Sequence, residues 1–285
     1  MAESYELYQY KKQFEAVADK DDSVNWKMGY KILKDYPINE FNPSAIKKTN
    51  KSPVLWFGCS FADGDLMPID KKPYNKLSDL TGRTVINRAQ GGTGTQYIYN
   101  QFINFDFKKI APDVDFIIYT YIDDHLHRLY TYQINPLTDI ANIRYEYKNN
   151  KLQKIPRWNK YLYSSFLIKR LKNICIHHQW NQEYIDYHLF NITINECRKK
   201  MKELYPDAKF ILIEFNTKDQ IKEDDFIPPW EIKKLKSYGI DVIKLRDYTG
   251  NTDITDDKYW FEDKINPREE LWDIILPVLV KKYNM

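Results

Sequence analysis

Cysteine, glycine, histidine and net charge are all scarce in this chain of 285 residues. Three cysteines, Cys59, Cys175 and Cys197, are too few and too scattered for a disulfide framework or a zinc site. Lys and Arg number 43 against 40 Asp and Glu, a net charge of +3 that argues against a polyanion partner. No basic stripe with interleaved aromatics is present, which excludes the usual nucleic-acid footprint. No run of about 18 apolar residues occurs, so no membrane-spanning helix is expected. The opening residues, Met1 to Tyr8, carry no apolar core of a signal peptide. As it stands the chain reads as cytoplasmic, or as exported if a leader has been trimmed.

What remains is ordinary globular composition, with 43% hydrophobic and 29% charged residues. The length suits one domain with an insertion. Tyrosine is abundant, at 23 residues. An AT-rich genome explains that count as well as an aromatic sugar-binding surface does, and composition alone favours the genome.

Residues 1–52 show no clear core pattern and read as a helix or two with an extended lead-in. From residue 53 strands and helices alternate. Apolar runs predict strands at 53–57, 84–87, 116–121, 210–213 and 241–243. Helical spacing marks 96–107, and a single apolar stripe runs through Tyr184, Tyr187, Phe190, Ile194, Cys197, Met201 and Leu204. That stripe makes Cys197 a core residue. A last helix is expected from Pro267, with Pro277 kinking or dividing it. Such alternation implies a mostly parallel sheet covered on both faces, with ligands beyond the carboxyl ends of the strands. Residues 126–163 interrupt the rhythm, and 143–155 read as a hairpin. It follows the third strand, so a lid or substrate platform is one reading and a structural insertion the other.

Six of the nine glycines fall between Gly58 and Gly94, in the first two strand-exit loops. Gly91-Gly92-Thr93-Gly94 lacks the spacing of a dinucleotide or phosphate loop. Ser60 stands two residues past Gly58, where its hydroxyl can leave the end of the strand. Its amide and one from the next loop can converge on an oxyanion. A turn serine or helix cap would look the same in isolation. The combination shifts the reading: Gly58-x-Ser60-x-x-x-Gly64, then Asn87-x-Ala89-x-x-Gly92, then Asp123-Asp124, then Asp263-x-x-Asn266 before a helix.

In this order the four motifs resemble the SGNH (GDSL-like) hydrolase superfamily over residues 53–280. The resemblance implies a flavodoxin-like three-layer α/β sandwich with a five-stranded parallel sheet, spanning 53–285. It implies that Ser60 is the nucleophile, that the Ser60 and Gly92 amides form an oxyanion hole, and that Asp263 orients the base. Two departures matter. The family's third motif is Gly-x-Asn-Asp, and Asp123 takes the place of the oxyanion-donating Asn. An ionised Asp only accepts hydrogen bonds. Either Asp123 has another role, or His125 or Arg128 supplies the donor. The family's last motif is Asp-x-x-His, and here the base position holds Asn266. None of the five histidines lies beyond His188. Asn266 before Pro267, with Glu269 following, also reads as a helix N-cap. The natural residue is His and this copy is inactivated, or the protein is a pseudoenzyme, or another base such as His125 serves.

Asp124, His125 and Arg128 form a polar cluster at the third strand exit, read as substrate-binding. Metal ligation by His125 and His127 has no supporting spacing, and no cofactor is implied. Cys59 should point away from Ser60, into the core. The function implied is a serine esterase or deacetylase acting on ester-linked acyl groups of a carbohydrate or similar polar substrate, through an acyl-serine. The partner is then a small-molecule or glycan ester. An O-acyltransferase of the same fold, or a non-catalytic glycan-binding protein, are the alternatives.

Overall fold

Five short apolar segments pair side by side in the computed structural model, which describes residues 50–91, 93–130, 145–154, 182–215, 218, 227–249, 252–263 and 265–285. They are β1 (Val54–Phe57), β2 (Val85–Asn87), β3 (Phe116–Tyr121), β6 (Lys209–Glu214) and β7 (Ile240–Lys244). All neighbours run parallel, in the order β2-β1-β3-β6-β7. β1 and β3 are buried along their whole length. That is why they read as unbroken apolar runs rather than alternating ones.

Side-chain alternation along each strand divides the core in two. Leu55, Phe57, Ile117, Tyr119 and Tyr121 face one layer. It is built from α3 (Thr95–Asn104), α4 (Asp124–Tyr130), α5 (Gln182–Leu204) and α6 (Pro229–Ser237). Val54, Trp56, Phe116 and Ile118 face the other. There they meet α1 (Ser60–Asp63), α2 (Pro73–Thr81), α7 (Leu245–Thr249) and α8 (Glu269–Tyr283). This is the flavodoxin-like three-layer arrangement, whose strand order places ligands at the carboxyl ends beside β1 and β3. The stripe on α5 is buried as expected, with Phe190, Ile194, Cys197 and Met201 fully enclosed.

One helix expectation needs correction. α8 begins at Glu269, not at Pro267, and its N-cap is Arg268. Pro267 instead bridges to Trp260 in extended conformation. Pro277 lies inside α8 without dividing it. Leu276, Leu279 and Tyr283, buried on either side of it, hold the helix against the sheet despite the lost hydrogen bond.

Of the insertion, β4 (Tyr145–Lys148) and β5 (Lys151–Lys154) form an antiparallel hairpin. Asn149 and Asn150 turn it with φ of 53° and 58°, the positive pair that a two-residue hairpin loop needs. Tyr145 anchors it to α3: its hydroxyl donates to Asn100 Oδ1 at 2.5 Å, and its ring meets Tyr99 edge-on. Residues 126–130 belong to α4, while the lead-in at 1–49, Cys175 and residues 131–144 and 155–163 of the insertion lie outside the described residues.

Candidate active site

The exit of β1 is forced by its close packing. Gly58 has φ of +154°, and a Cβ there would lie 2.4 Å from Ala62 Cβ and 3.2 Å from Thr120. Only glycine lets the chain turn so tightly against β3. Cys59 follows, fully buried, with its thiol pushed up by burial despite the Arg128 charge beside it. It is a core residue, as its alternation with Ser60 suggested. Ser60 then opens the single-turn α1 and is half-buried. Gly64, at φ 70°, closes the turn by donating to the Ser60 carbonyl at 2.8 Å.

The exit of β2 is tied to the same point. The Gly58 carbonyl accepts from the Gln90 amide at 3.0 Å and lies 2.9 Å from the Thr93 hydroxyl, which it shares with the Gln90 carbonyl at 2.7 Å. Asn87 donates to Asp63 Oδ1 at 2.6 Å and accepts from the Ala89 amide at 2.9 Å, linking β2 to α1. Gly92, the expected oxyanion residue, lies outside the described residues. Residues on both sides of it hang on the carbonyl that precedes Cys59 and Ser60.

Behind the β3 exit stands the polar cluster. His125 is fully buried, its ring stacked on Tyr119 and its Nδ1 2.6 Å from the Tyr119 hydroxyl. Burial, and then the Arg128 charge, hold its pKa well below the usual histidine value, so the ring is neutral. It reaches no solvent-facing surface. The expectation that it contacts substrate, or serves as base for Ser60, does not hold in this geometry. Arg128 is also buried and donates to the Thr93 carbonyl and to Asp124. Its two terminal nitrogens therefore donate to protein groups. Asp124 is partly exposed, and Asp123 forms the half-buried turn between β3 and α4.

Asp263 and Asn266 form a compact unit ahead of α8. One Asp263 oxygen accepts the amides of Ile265 and Asn266, each at 2.9 Å. The other accepts the Asn266 side-chain amide at 2.6 Å. Asn266 Oδ1 is enclosed and has no partner among the described residues. Asn266 is thus not the helix cap that its place before Pro267 suggested. It is held by Asp263 as an orienting carboxylate would hold an imidazole.

One feature was missed in the sequence. Asp65 hydrogen-bonds Asp63, which also takes Lys72 Nζ at 3.2 Å, and lies against the Gly91 backbone. Lost water around the carboxyl and the Asp63 charge raise Asp65 to about 8. The residue's outer face is open, so the neighbouring carboxylate matters more than the lost water. Asp63-x-Asp65 was visible as letters, but only the fold of α1 brings the two carboxyls together.

No family model matches the chain, and a search of curated proteins finds no match. Similar solved structures do exist. A member of the lipolytic protein G-D-S-L family from Veillonella parvula is 12% identical, with 80% of this chain and 96% of that one covered and a TM-score of 0.45. A catalytic mutant of an acetylxylan esterase from Geobacillus stearothermophilus is 11% identical, with 83% and 95% covered and a TM-score of 0.48. The likeness is weak, and the site has to be judged on this chain's own residues.

Proposed function

We propose that the chain is an ester hydrolase that uses Ser60 as nucleophile, with Asn266 at the place of the general base. The observation that carries this reading is the Gly58 carbonyl. It binds the loop after β2 on both sides of position 92, directly behind the strand exit that presents Ser60. Two glycine-rich exits are thereby joined at the carboxyl end of a parallel sheet, where this fold class takes its ligands. The amides of Ser60 and Gly92 are the donors assigned to the oxyanion. Asp263 orients the side chain at 266, and that side chain would take the serine proton if it were an imidazole. Asn offers a similar hydrogen bond without basicity near neutral pH.

The substrate assigned is an acyl ester of a carbohydrate or similar polar alcohol. The sequence resemblance supports it, and Tyr147 on the hairpin is exposed. Transfer of the acyl group to a sugar hydroxyl would use the same acyl-serine. A binding protein without turnover is the reading that Asn266 favours. Hydrolysis of p-nitrophenyl acetate by the chain, by Asn266→His and by Asn266→His/Ser60→Ala separates these. Serine-dependent turnover in Asn266→His supports the hydrolase. A folded Asn266→His protein with no turnover above the Ser60→Ala background, across acetyl, acyl and sugar esters, leaves the binding role.

A further inference from the structure

Arg128 is 8% exposed, yet its guanidinium has no place in the core contacts of α4. It reaches back across the sheet end. Nη1 donates to the Thr93 carbonyl at 2.5 Å, and Nη2 donates to the Asp124 carboxylate. The Cys59 thiol lies within hydrogen-bonding reach of the same group. The Arg128 backbone carbonyl accepts from Gln96 Nε2 at 3.0 Å. At Gly94 a Cβ would lie 3.3 Å from Arg128 Cβ, so the loop backbone rests on the arginine stem. Burial opposes the charge, but the Asp124 carboxylate beside it offsets that cost, and the group stays a cation. One side chain therefore touches the exits of β1, β2 and β3.

We propose that Arg128 is a positioning residue for the loop after β2, clamping Thr93 so that Thr93 and Gly94 are held against the Cys59–Ser60 exit. This rests on the serine-esterase reading. The chain has Asp123 where the resemblance predicts a donating Asn, so one oxyanion donor is missing. A rigid loop and a buried positive charge behind it offset that loss. Backbone donors stabilise the developing oxyanion only if they need not reorganise when it forms. Lysine could not replace the clamp, because a single ammonium cannot match the planar fork that reaches Thr93 and Asp124 together.

The test uses Asn266→His as parent, with Arg128→Met and Arg128→Lys made in it. Two readings are taken: steady-state hydrolysis of p-nitrophenyl acetate, and amide hydrogen exchange of residues 89–95. The proposal expects Arg128→Met to lower kcat about 100-fold, with KM changed less than about threefold. Exchange at 89–95 should rise at least about tenfold while the amides of β6 and α8 exchange as in the parent. Arg128→Lys should fall between the two on both readings. If Arg128→Met does not fold, the same two readings on Arg128→Lys decide. Unchanged exchange at 89–95, or loosened exchange with kcat intact, overturns the proposal. An inactive parent sinks the hydrolase reading instead, and the exchange reading then still decides whether Arg128 holds the loop.

Discussion

The side-chain amide of Asn266 donates to Asp263 Oδ2 at 2.6 Å, leaving its own oxygen enclosed and without a described partner. An Asp three residues before a side chain that it fixes by hydrogen bond is the arrangement that sets an imidazole tautomer in a serine hydrolase. At position 266 an asparagine lacks the basicity that an imidazole would bring. Asn266→His should therefore raise kcat/KM for p-nitrophenyl acetate by at least about 100-fold, since losing a triad base costs several orders of magnitude. Adding Ser60→Ala should remove the gain. Asp263→Asn in the Asn266→His protein should lower kcat again, on the order of 10⁴-fold in the limit of a wrong tautomer.

Gly58→Ala should cost stability. The new methyl would stand 2.4 Å from Ala62 Cβ at a φ of +154°. Strain of this kind costs about 1–3 kcal/mol, and overpacking adds a similar amount. Urea denaturation would show it as a lower midpoint with an unchanged slope. A midpoint equal to the parent's would mean that β1 and α1 can separate, and with them the Ser60 exit.

Glu231 should make the protein less stable as pH rises. It is fully buried on α6 and accepts from Asn191 at 2.6 Å. Burial raises its pKa to about 7 from the usual 4.5. The folded state then binds more protons than the unfolded state between those two values, so this group's contribution falls as pH climbs from about 4.5 to about 7. Glu231→Gln should flatten that part of the curve and gain relative stability at pH 8 over pH 5, by on the order of 1–3 kcal/mol. Chemical denaturation of both proteins from pH 4 to 9 measures it. Parallel curves would show that Glu231 keeps its charge at no cost.

The hairpin separates anchoring from selectivity. Tyr145→Ala should destabilise by about 3–4 kcal/mol, the usual cost of emptying a buried aromatic site. Tyr147 on the same strand is 44% exposed. If the hairpin shapes the substrate cleft, Tyr147→Ala should change the kcat/KM ratio between an acetylated sugar and p-nitrophenyl acetate several-fold, with Tm unmoved. A constant ratio would make the hairpin a purely structural insertion.

The five strands, the α5 stripe and the exit that carries Ser60 were legible because each is a local pattern. An apolar run buried on both faces, a period of 3.6 and a glycine where a Cβ cannot fit all leave their mark within a few residues. The asparagine turn of the hairpin is local in the same way. The charged and polar residues at the strand ends were not legible, because their letters say nothing about which way they face. His125 and Arg128 looked like cleft residues by their position after β3. The first turn of α4 buries the His125 ring against Tyr119 and sends the Arg128 guanidinium back to Thr93. Asn266 looked like a helix cap, but the Trp260–Pro267 bridge delays α8 and gives its side chain to Asp263. Sequence by itself determined the sheet, the α3 and α5 helices and the place of the serine after β1, through periodicity and backbone sterics. Tertiary structure alone decided the partners of the buried polar groups, because those hydrogen bonds join residues that only the packed sheet end brings together.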